Sequence, residues 1–280
     1  MNTDKGILKN VAPFLKWAGG KRQLLPQYAP CFPPRETIDS YFEPFIGSAA
    51  VFFHLQPPQA TLSDRNEKLI EVYRAIQEDV EAVIAALEAH CNEEDYYYAV
   101  RAQEPAGLTA AERAARLIYL NRTCYNGLYR ENSRGEFNVP FGRYKNPKIC
   151  NKKRLRTAAA ALQSVTLRAS DFAEATAAAE EGDFVYFDPP YAPLSATSSF
   201  TGYDRYGFTG ADQARLARTV HALTGRGCRV MLSNSSAPLI YNLYQGHGYR
   251  ILPIQARRSI NSKPHKRGPV KELLILNYDL

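Results

Sequence analysis

No two of the five cysteines (Cys31, Cys91, Cys124, Cys150 and Cys228) form a C-x-x-C pair, and their number is odd. That pattern suggests neither a disulfide framework nor a zinc site, so free thiols are expected. The histidines show no H-E-x-x-H or other ligand spacing, and the chemistry is expected to need no metal. Long apolar runs are missing too. Nothing approaches the length that spans a bilayer, and the opening MNTDKGILKNVAPF has too little apolar run for a signal peptide. A cytoplasmic protein with no membrane partner is the expectation. The Asn-x-Ser/Thr triplets at Asn121 and Asn234 then carry no meaning as glycan acceptors. A G-x-G-x-x-G dinucleotide fingerprint is also lacking.

Acids are absent from two long stretches. None occurs between Phe137 and Ser170, against eight Lys and Arg, or between Gln213 and Lys271, against eleven, whereas twelve crowd between Asp64 and Glu112. With a formal net charge of +7, this segregation predicts a one-sided field suited to a polyanion. Tyr125, Tyr129, Phe137, Phe141 and Tyr144 interleave with Arg122, Arg130, Arg134 and Arg143. Aromatic rings can stack on bases while arginines contact phosphates or base edges.

What is present is a strand–helix rhythm at both ends of the chain. IDSYFEPF (38–45) and ATLSDRN (60–66) read as strands leading into helices, and LIEVYRAIQEDVEAVIAALEAH (69–90) has apolar residues at helical spacing. The rhythm breaks between 95 and 165. There a helix, AAERAARLIYLNRT, precedes the turn-rich CYNGLYRENSRGEFNVPFGRYKNP, whose Asn-Gly, Arg-Gly and Phe-Gly steps mark loops or a hairpin. It resumes with the strand VTLRASDF, a helix AEATAAAEE, FVYFDPPY, a helix from about Asp212 to Thr224, and the strands CRVMLSN and KELLILNY. The predicted fold class is α/β. Residues 1–70 and 166–280 form a Rossmann-like doubly wound domain, and 71–165 form an inserted, mainly helical domain containing a hairpin.

Four motifs fall where such a fold does chemistry. In VYFDPPYAPLS (185–195) the strand must end at about Asp188, because proline has no N–H for the ladder and fixes φ. Open α/β sheets bind ligands at the carboxyl ends of strands, which makes Asp188 a candidate working group. EPFIGSA sets Gly47 at a strand-to-helix turn, where backbone can approach a nucleotide-like molecule. LSDRN puts Asp64 at the end of the next strand, placed either to accept ribose hydroxyls or to cap the following helix. FLKWAGGKRQLL holds the only tryptophan, with a Gly-Gly step between Lys16 and Lys21.

In this order, FLKWAGGK, E-P-F-x-G, the ribose acid and DPPY resemble the adenine-N6 DNA methyltransferases of the Dam type. The likeness covers nearly the whole chain, including YLNRTCYNGLYRENSRGEFNVPFGRYKNP, DPPYAPLSATSSFTGY and RRSINS. Ser48-Ala49 departs from it, standing where members often carry a second glycine. The resemblance implies S-adenosylmethionine as cofactor, with Trp17 and Lys21 along its methionine and adenosine parts. It puts Asp64 on the ribose, Asp171 and Phe172 near the adenine, and Asp188 beside the donor methyl. It implies double-stranded DNA as partner and methylation of the adenine of GATC after base flipping. Asp188 and the Pro189 carbonyl then accept from N6, and Tyr191 stacks on the flipped base. For DNA it implies Lys16 and the stretch from Arg122 to Tyr144. Tyr125 and Asn126 would sit near the vacated position, Arg130 on a guanine edge, and Leu128, Pro140 and Tyr144 in apolar and backbone contacts. A monomer acting at the nucleoid is expected.

An RNA base N-methyltransferase is the alternative enzyme, disfavoured by the long recognition insert. A nicotinamide oxidoreductase is disfavoured by the missing glycine fingerprint, and a regulator without chemistry by the intact DPPY. Both a restriction–modification role and one in repair and replication are compatible with these motifs.

Overall fold

The computed structural model describes residues 7–194, 207–257 and 269–280. The family-like stretch SATSSFTGY from Ser195 onward, and RRSINS beyond Arg257, lie outside the described residues. Seven strands form a mixed sheet: β1 (Tyr41–Glu43), β2 (Ala60–Asp64), β3 (Val165–Ala169), β4 (Phe184–Phe187), β5 (Arg229–Ser235), β6 (Arg250–Arg257) and β7 (Pro269–Leu276). Their order is β3-β2-β1-β4-β5-β7-β6. β1 runs parallel to β2 and β4, and β4 to β5, whereas β7 is antiparallel to both β5 and β6. The expected α/β class is therefore what the chain adopts. The helices among the described residues are α1 (Leu25–Tyr28), α2 (Ala50–Leu55), α3 (Glu67–Glu78), α4 (Val80–Glu88), α5 (Glu94–Ala102), α6 (Ala110–Thr123), α7 (Lys152–Leu162), α8 (Phe172–Ala175), α9 (Gly210–Gly225) and α10 (Pro238–Tyr244).

Two compact units divide the chain: Met1–Arg22, Ile46–Pro58 and Asp64–Ala169 in one, Gln23–Phe45, Gln59–Ser63 and Ser170–Leu280 in the other. The first is mainly helical. α3 and α4 pack on α6 and α7 through the buried Tyr73, Ile76, Ile84, Leu87, Ile118 and Leu162. The apolar run 69–90 predicts one helix, but Asp79 (φ −147°) breaks it and caps α4 by accepting from Ala82 N at 3.0 Å. A short polar side chain that can take a local hydrogen bond competes with the helix in this way. α6 starts on a full capping box, Thr109 with Glu112.

The turn-rich stretch after α6 folds back on itself without forming a named strand. Bridges join Cys124 to Phe141 and Glu131 to Phe137, and Asn138 N donates to Arg130 O at 3.0 Å. Of the loops or hairpin that the sequence suggests, what forms is a fold-back with two antiparallel bridges and no ladder.

The second unit carries its core between α9 and the central strands, with Phe187, Val230, Leu216 and Val220 all buried. All four residues of β4 are buried, as a parallel strand covered on both faces requires. It stops immediately before Asp188-Pro189-Pro190. Several elements differ from expectation. The helix predicted at 173–181 shrinks to α8, whereas α1, α5, α7, α10 and β6, absent from the sequence reading, all form, and β6 holds the end of the strand order.

Candidate active site

The turn after β4 is held from all sides by its own unit. Asp188 Oδ1 accepts from Ser233 Oγ on β5 at 2.8 Å, and Ser233 also meets the Tyr186 hydroxyl at 3.1 Å. The Pro190 carbonyl accepts from Gln213 Nε2 at 2.8 Å. Ala192 donates its N–H to Asn234 Oδ1 at 3.1 Å and accepts at its carbonyl from Ser235 Oγ at 2.6 Å. Among the described residues no donor reaches the carbonyl of Pro189. Tyr191 is half-buried and donates to Glu272 Oε2 on β7 at 2.7 Å. Burial, with Tyr28, Asp188 and Glu272 nearby, pushes its pKa well above the usual tyrosine value, so it stays a neutral donor.

In the first unit, three of the other motifs meet at Gly47. Its φ of +44° is left-handed, and a Cβ there would lie 2.8 Å from Trp17 Cδ1, so only glycine lets the turn and the indole coexist. Gly47 N donates to Asp64 Oδ2 at 3.4 Å and Asn66 N to Asp64 Oδ1 at 3.0 Å. The cap of α3 is Asn66, which accepts from Leu69 N. Of the two roles open to Asp64 in the sequence, capping is thereby taken by its neighbour. Trp17 is half-buried and stacks on Tyr129, ring centres 5.2 Å apart. Lys21 is buried at 4% exposure, and its ammonium donates to Gly19 O at 2.6 Å. Ala49, two residues beyond Gly47, also has left-handed backbone (φ 54°).

In the second unit Asp171 caps α8 and is gripped through both oxygens by Arg215, at 2.6 and 2.7 Å. Phe172 is 1% exposed. Its ring lies against Phe45, Phe208 and the Arg215 guanidinium, and so is packed as core.

The residues expected to face DNA separate by exposure. Tyr125, Asn126, Arg130 and Pro140 are exposed; Lys16, Arg122, Leu128 and Tyr144 are half-buried. Tyr129 and Phe137 are buried against each other, which removes them from the set of rings able to stack on bases. Arg130 lies along its own hairpin, donating to Asn138 Oδ1 at 2.7 Å and Asn138 O at 3.1 Å. Arg122 donates to Lys148 O at 2.9 Å. Lys16 stacks its ammonium over the Tyr144 ring, 4.3 Å from the centre; burial and the nearby Arg122 lower its pKa.

The one-sided field expected from the sequence is partly cancelled in space. Glu88 pairs with Lys152 at 2.6 Å, Glu81 with Arg156 at 2.6 Å and Glu94 with Arg143 at 3.3 Å. The acid-rich and acid-free stretches thus meet within one unit.

Sequence reasoning missed Asn121, Gln213, Ser233 and Asn234. Asn121, Ser233 and Asn234 are fully buried and Gln213 is 1% exposed. The available signal was a polar residue inside a run whose neighbours are core, since buried polar groups must be hydrogen-bonded.

The seven-stranded α/β sheet is of a kind that methyltransferases adopt. The model of the D12 class N6 adenine-specific DNA methyltransferases matches residues 17–260, and the chain belongs to that family. It is 44% identical over 277 residues to a Type II methyltransferase of Lactococcus lactis subsp. cremoris, covering 96% of each chain. A Type II methyltransferase of Methanocaldococcus jannaschii is 42% identical over 96% of this chain and 99% of its own length. The DNA adenine methylase of Escherichia coli is 38% identical, again over 96% of each. Among the described residues no helix is long and apolar enough to cross a membrane, and no group of three or more His, Cys, Asp or Glu is arranged to hold a metal.

Proposed function

We propose that the protein transfers a methyl group from S-adenosylmethionine to adenine N6 in duplex DNA, at GATC, with the target base flipped out of the helix. Residues 1–70 and 166–280 would serve catalysis and 71–165 target recognition. The observation that carries the chemistry is the pattern of satisfied groups in the turn after β4. Pro190 O, Ala192 N and Ala192 O are all engaged from within the unit, whereas Pro189 O meets no described donor. The GATC target rests on the Dam-type likeness of the 122–144 segment.

The cofactor's chemistry fits the residues present. Asp64 offers a carboxylate held by two backbone N–H groups at the end of β2, an acceptor suited to a ribose diol, and Gly47 brings bare backbone beside it. Trp17, Lys21, Asp171 and Asp188 are the further residues proposed to hold it, whereas Phe172, expected near the adenine, is covered as core. S-adenosylmethionine supplies an electrophilic methyl group on a sulfonium. The adenine amino nitrogen is a poor nucleophile because its lone pair is delocalised into the ring. Asp188 and the Pro189 carbonyl accept hydrogen bonds from its two protons, favouring a tetrahedral nitrogen with a directed lone pair. As the N–C bond formed and the S–C bond broke to leave a neutral thioether, positive charge would develop on that nitrogen, and both fixed acceptors would stabilise it until one proton passed to solvent. Tyr191 packs on the flipped base. Methyl-transfer assays on GATC duplex, its single-base variants and RNA test the reading; equal transfer to RNA would favour a base N-methyltransferase of RNA instead.

Asp64→Ala is expected to raise the cofactor dissociation constant about tenfold or more, because a charge-assisted hydrogen bond is worth roughly 1.5 to 3 kcal/mol. DNA affinity should hold. An unchanged calorimetric titration with cofactor would return Asp64 to a local structural role.

Arg130→Ala should cost roughly 1 to 3 kcal/mol of discrimination at one guanine, raising relative methylation of sites altered there. Lys153→Ala, by contrast, should weaken binding evenly on all sequences and flatten the log–log salt slope by about one. Lys152, already paired with Glu88, should flatten it less. Methylation rates on variant sites at several salt concentrations separate these behaviours. A proportional fall on every site for Arg130→Ala removes its base-reading role.

A further inference from the structure

The turn after β4 hangs on two buried amides that no motif points to. Gln213 lies in the first turn of α9 and Asn234 on β5. Gln213 Nε2 donates to Pro190 O at 2.8 Å, and Gln213 Oε1 accepts from Asn234 Nδ2 at 3.0 Å. Asn234 Oδ1 accepts from Ala192 N at 3.1 Å and Ser235 N at 2.8 Å. The run has one sense. Rotating either amide by half a turn would set oxygen against oxygen or N–H against N–H, so each end fixes the other. Neither Pro189 nor Pro190 has an N–H by which the turn could tether itself, and the tether has to come from outside it. The ring fixes φ at Pro190, and the bond from Gln213 fixes the direction of the following carbonyl. Together they restrict the peptide plane that carries the Pro189 oxygen.

We infer that Gln213 and Asn234 are positioning residues for methyl transfer. They aim the Pro189 carbonyl and hold the chain beyond Asp188, without touching substrate. This rests on the proposed role of Asp188 and Pro189. A misplacement of about 1 Å at a reacting centre costs on the order of a hundredfold in rate, so the signature is a loss in turnover rather than in binding.

Single-turnover methyl transfer on GATC duplex, with melting curves and separate titrations of cofactor and DNA, provides the test. Gln213→Ala and Asn234→Ala are each expected to lower the transfer rate about ten- to a hundredfold while both dissociation constants stay within about twofold. The double variant should be scarcely worse than either single one, because the two side chains act as one chain. Gln213→Glu keeps the acceptor for Asn234 but sets an oxygen against Pro190 O. Its carboxyl can donate when protonated, so its rate relative to the parent should rise as pH falls. A folded Gln213→Ala enzyme with parental turnover overturns the inference, as does a Gln213→Glu enzyme impaired equally at every pH. Asp188→Ala is run beside them. Parental activity there would sink the reading of the site itself, whereas an inactive Asp188→Ala with an unaffected Gln213→Ala sinks only the positioning role.

Discussion

Asp188→Ala is expected to lose methyl transfer by about a hundred- to a thousandfold or more, the loss seen when a fixed group stabilising transition-state charge is deleted, while the protein still folds and binds DNA. Asp188 follows directly on β4, whose four residues are buried, so its backbone has little freedom. Ser233 steers one carboxylate oxygen at 2.8 Å. Its negative charge is felt around it. After burial itself, Asp188 is among the groups that push the hydroxyls of Tyr28, Tyr186 and Tyr191 away from ionisation. Asp188→Asn keeps an acceptor and loses the charge, so it should fall between parent and alanine. Turnover near the parental rate in Asp188→Ala would disprove the mechanism, because no other carboxylate follows β4 in this turn.

Asn121→Ala is expected to be strongly destabilising to the segment proposed for target recognition. From a fully buried position on α6, Nδ2 donates to Lys16 O at 2.6 Å and Gly127 O at 3.2 Å, and Oδ1 accepts from Lys16 N at 2.8 Å. One amide thus ties the FLKW stretch to the Tyr125–Gly127 turn. Alanine leaves three main-chain groups without this partner. At about 1 to 3 kcal/mol for each buried group stranded, partly relieved by relaxation, the cost is roughly 3 to 5 kcal/mol. That corresponds to a fall of roughly 10 °C in Tm. DNA affinity should drop with it, since Lys16 and the exposed Tyr125 share the anchor. A melting temperature within about 1 °C of the parent would show that the three bonds are replaced by water.

Where steric rules act on single residues, the sequence was a good guide. Proline forbids β4 to continue past Asp188, and β4 ends at Phe187. Where an outcome depends on what lies opposite in space, it was not. Pro253 inside RILPIQAR hides β6, yet β6 ends the strand order, where a proline is tolerated because one side of an edge strand needs no partner. Asn121 and Asn234 were visible only as glycan triplets, since nothing local shows that each is buried and tied to chain far away. The division of charge along the chain was legible, but its cancellation by Glu88–Lys152 and Glu81–Arg156 depends on α4 packing against α7. Asp64 was legible as an acid at a strand end; that Asn66 takes the cap shows only in the folded chain.

The consecutive prolines after Asp188 have a consequence for which bases the turn tolerates. Pro189 and Pro190 contribute carbonyls and no N–H, so beside a carboxylate the turn is an edge of acceptors. An exocyclic amine complements such an edge. An exocyclic oxygen would meet Asp188 and the Pro189 carbonyl lone pair to lone pair, with no proton to share. On the proposed role of Asp188, hypoxanthine, the 6-oxo counterpart of adenine with a proton on N1, has no exocyclic amine to offer, so a deaminated adenine should be passed over rather than trapped.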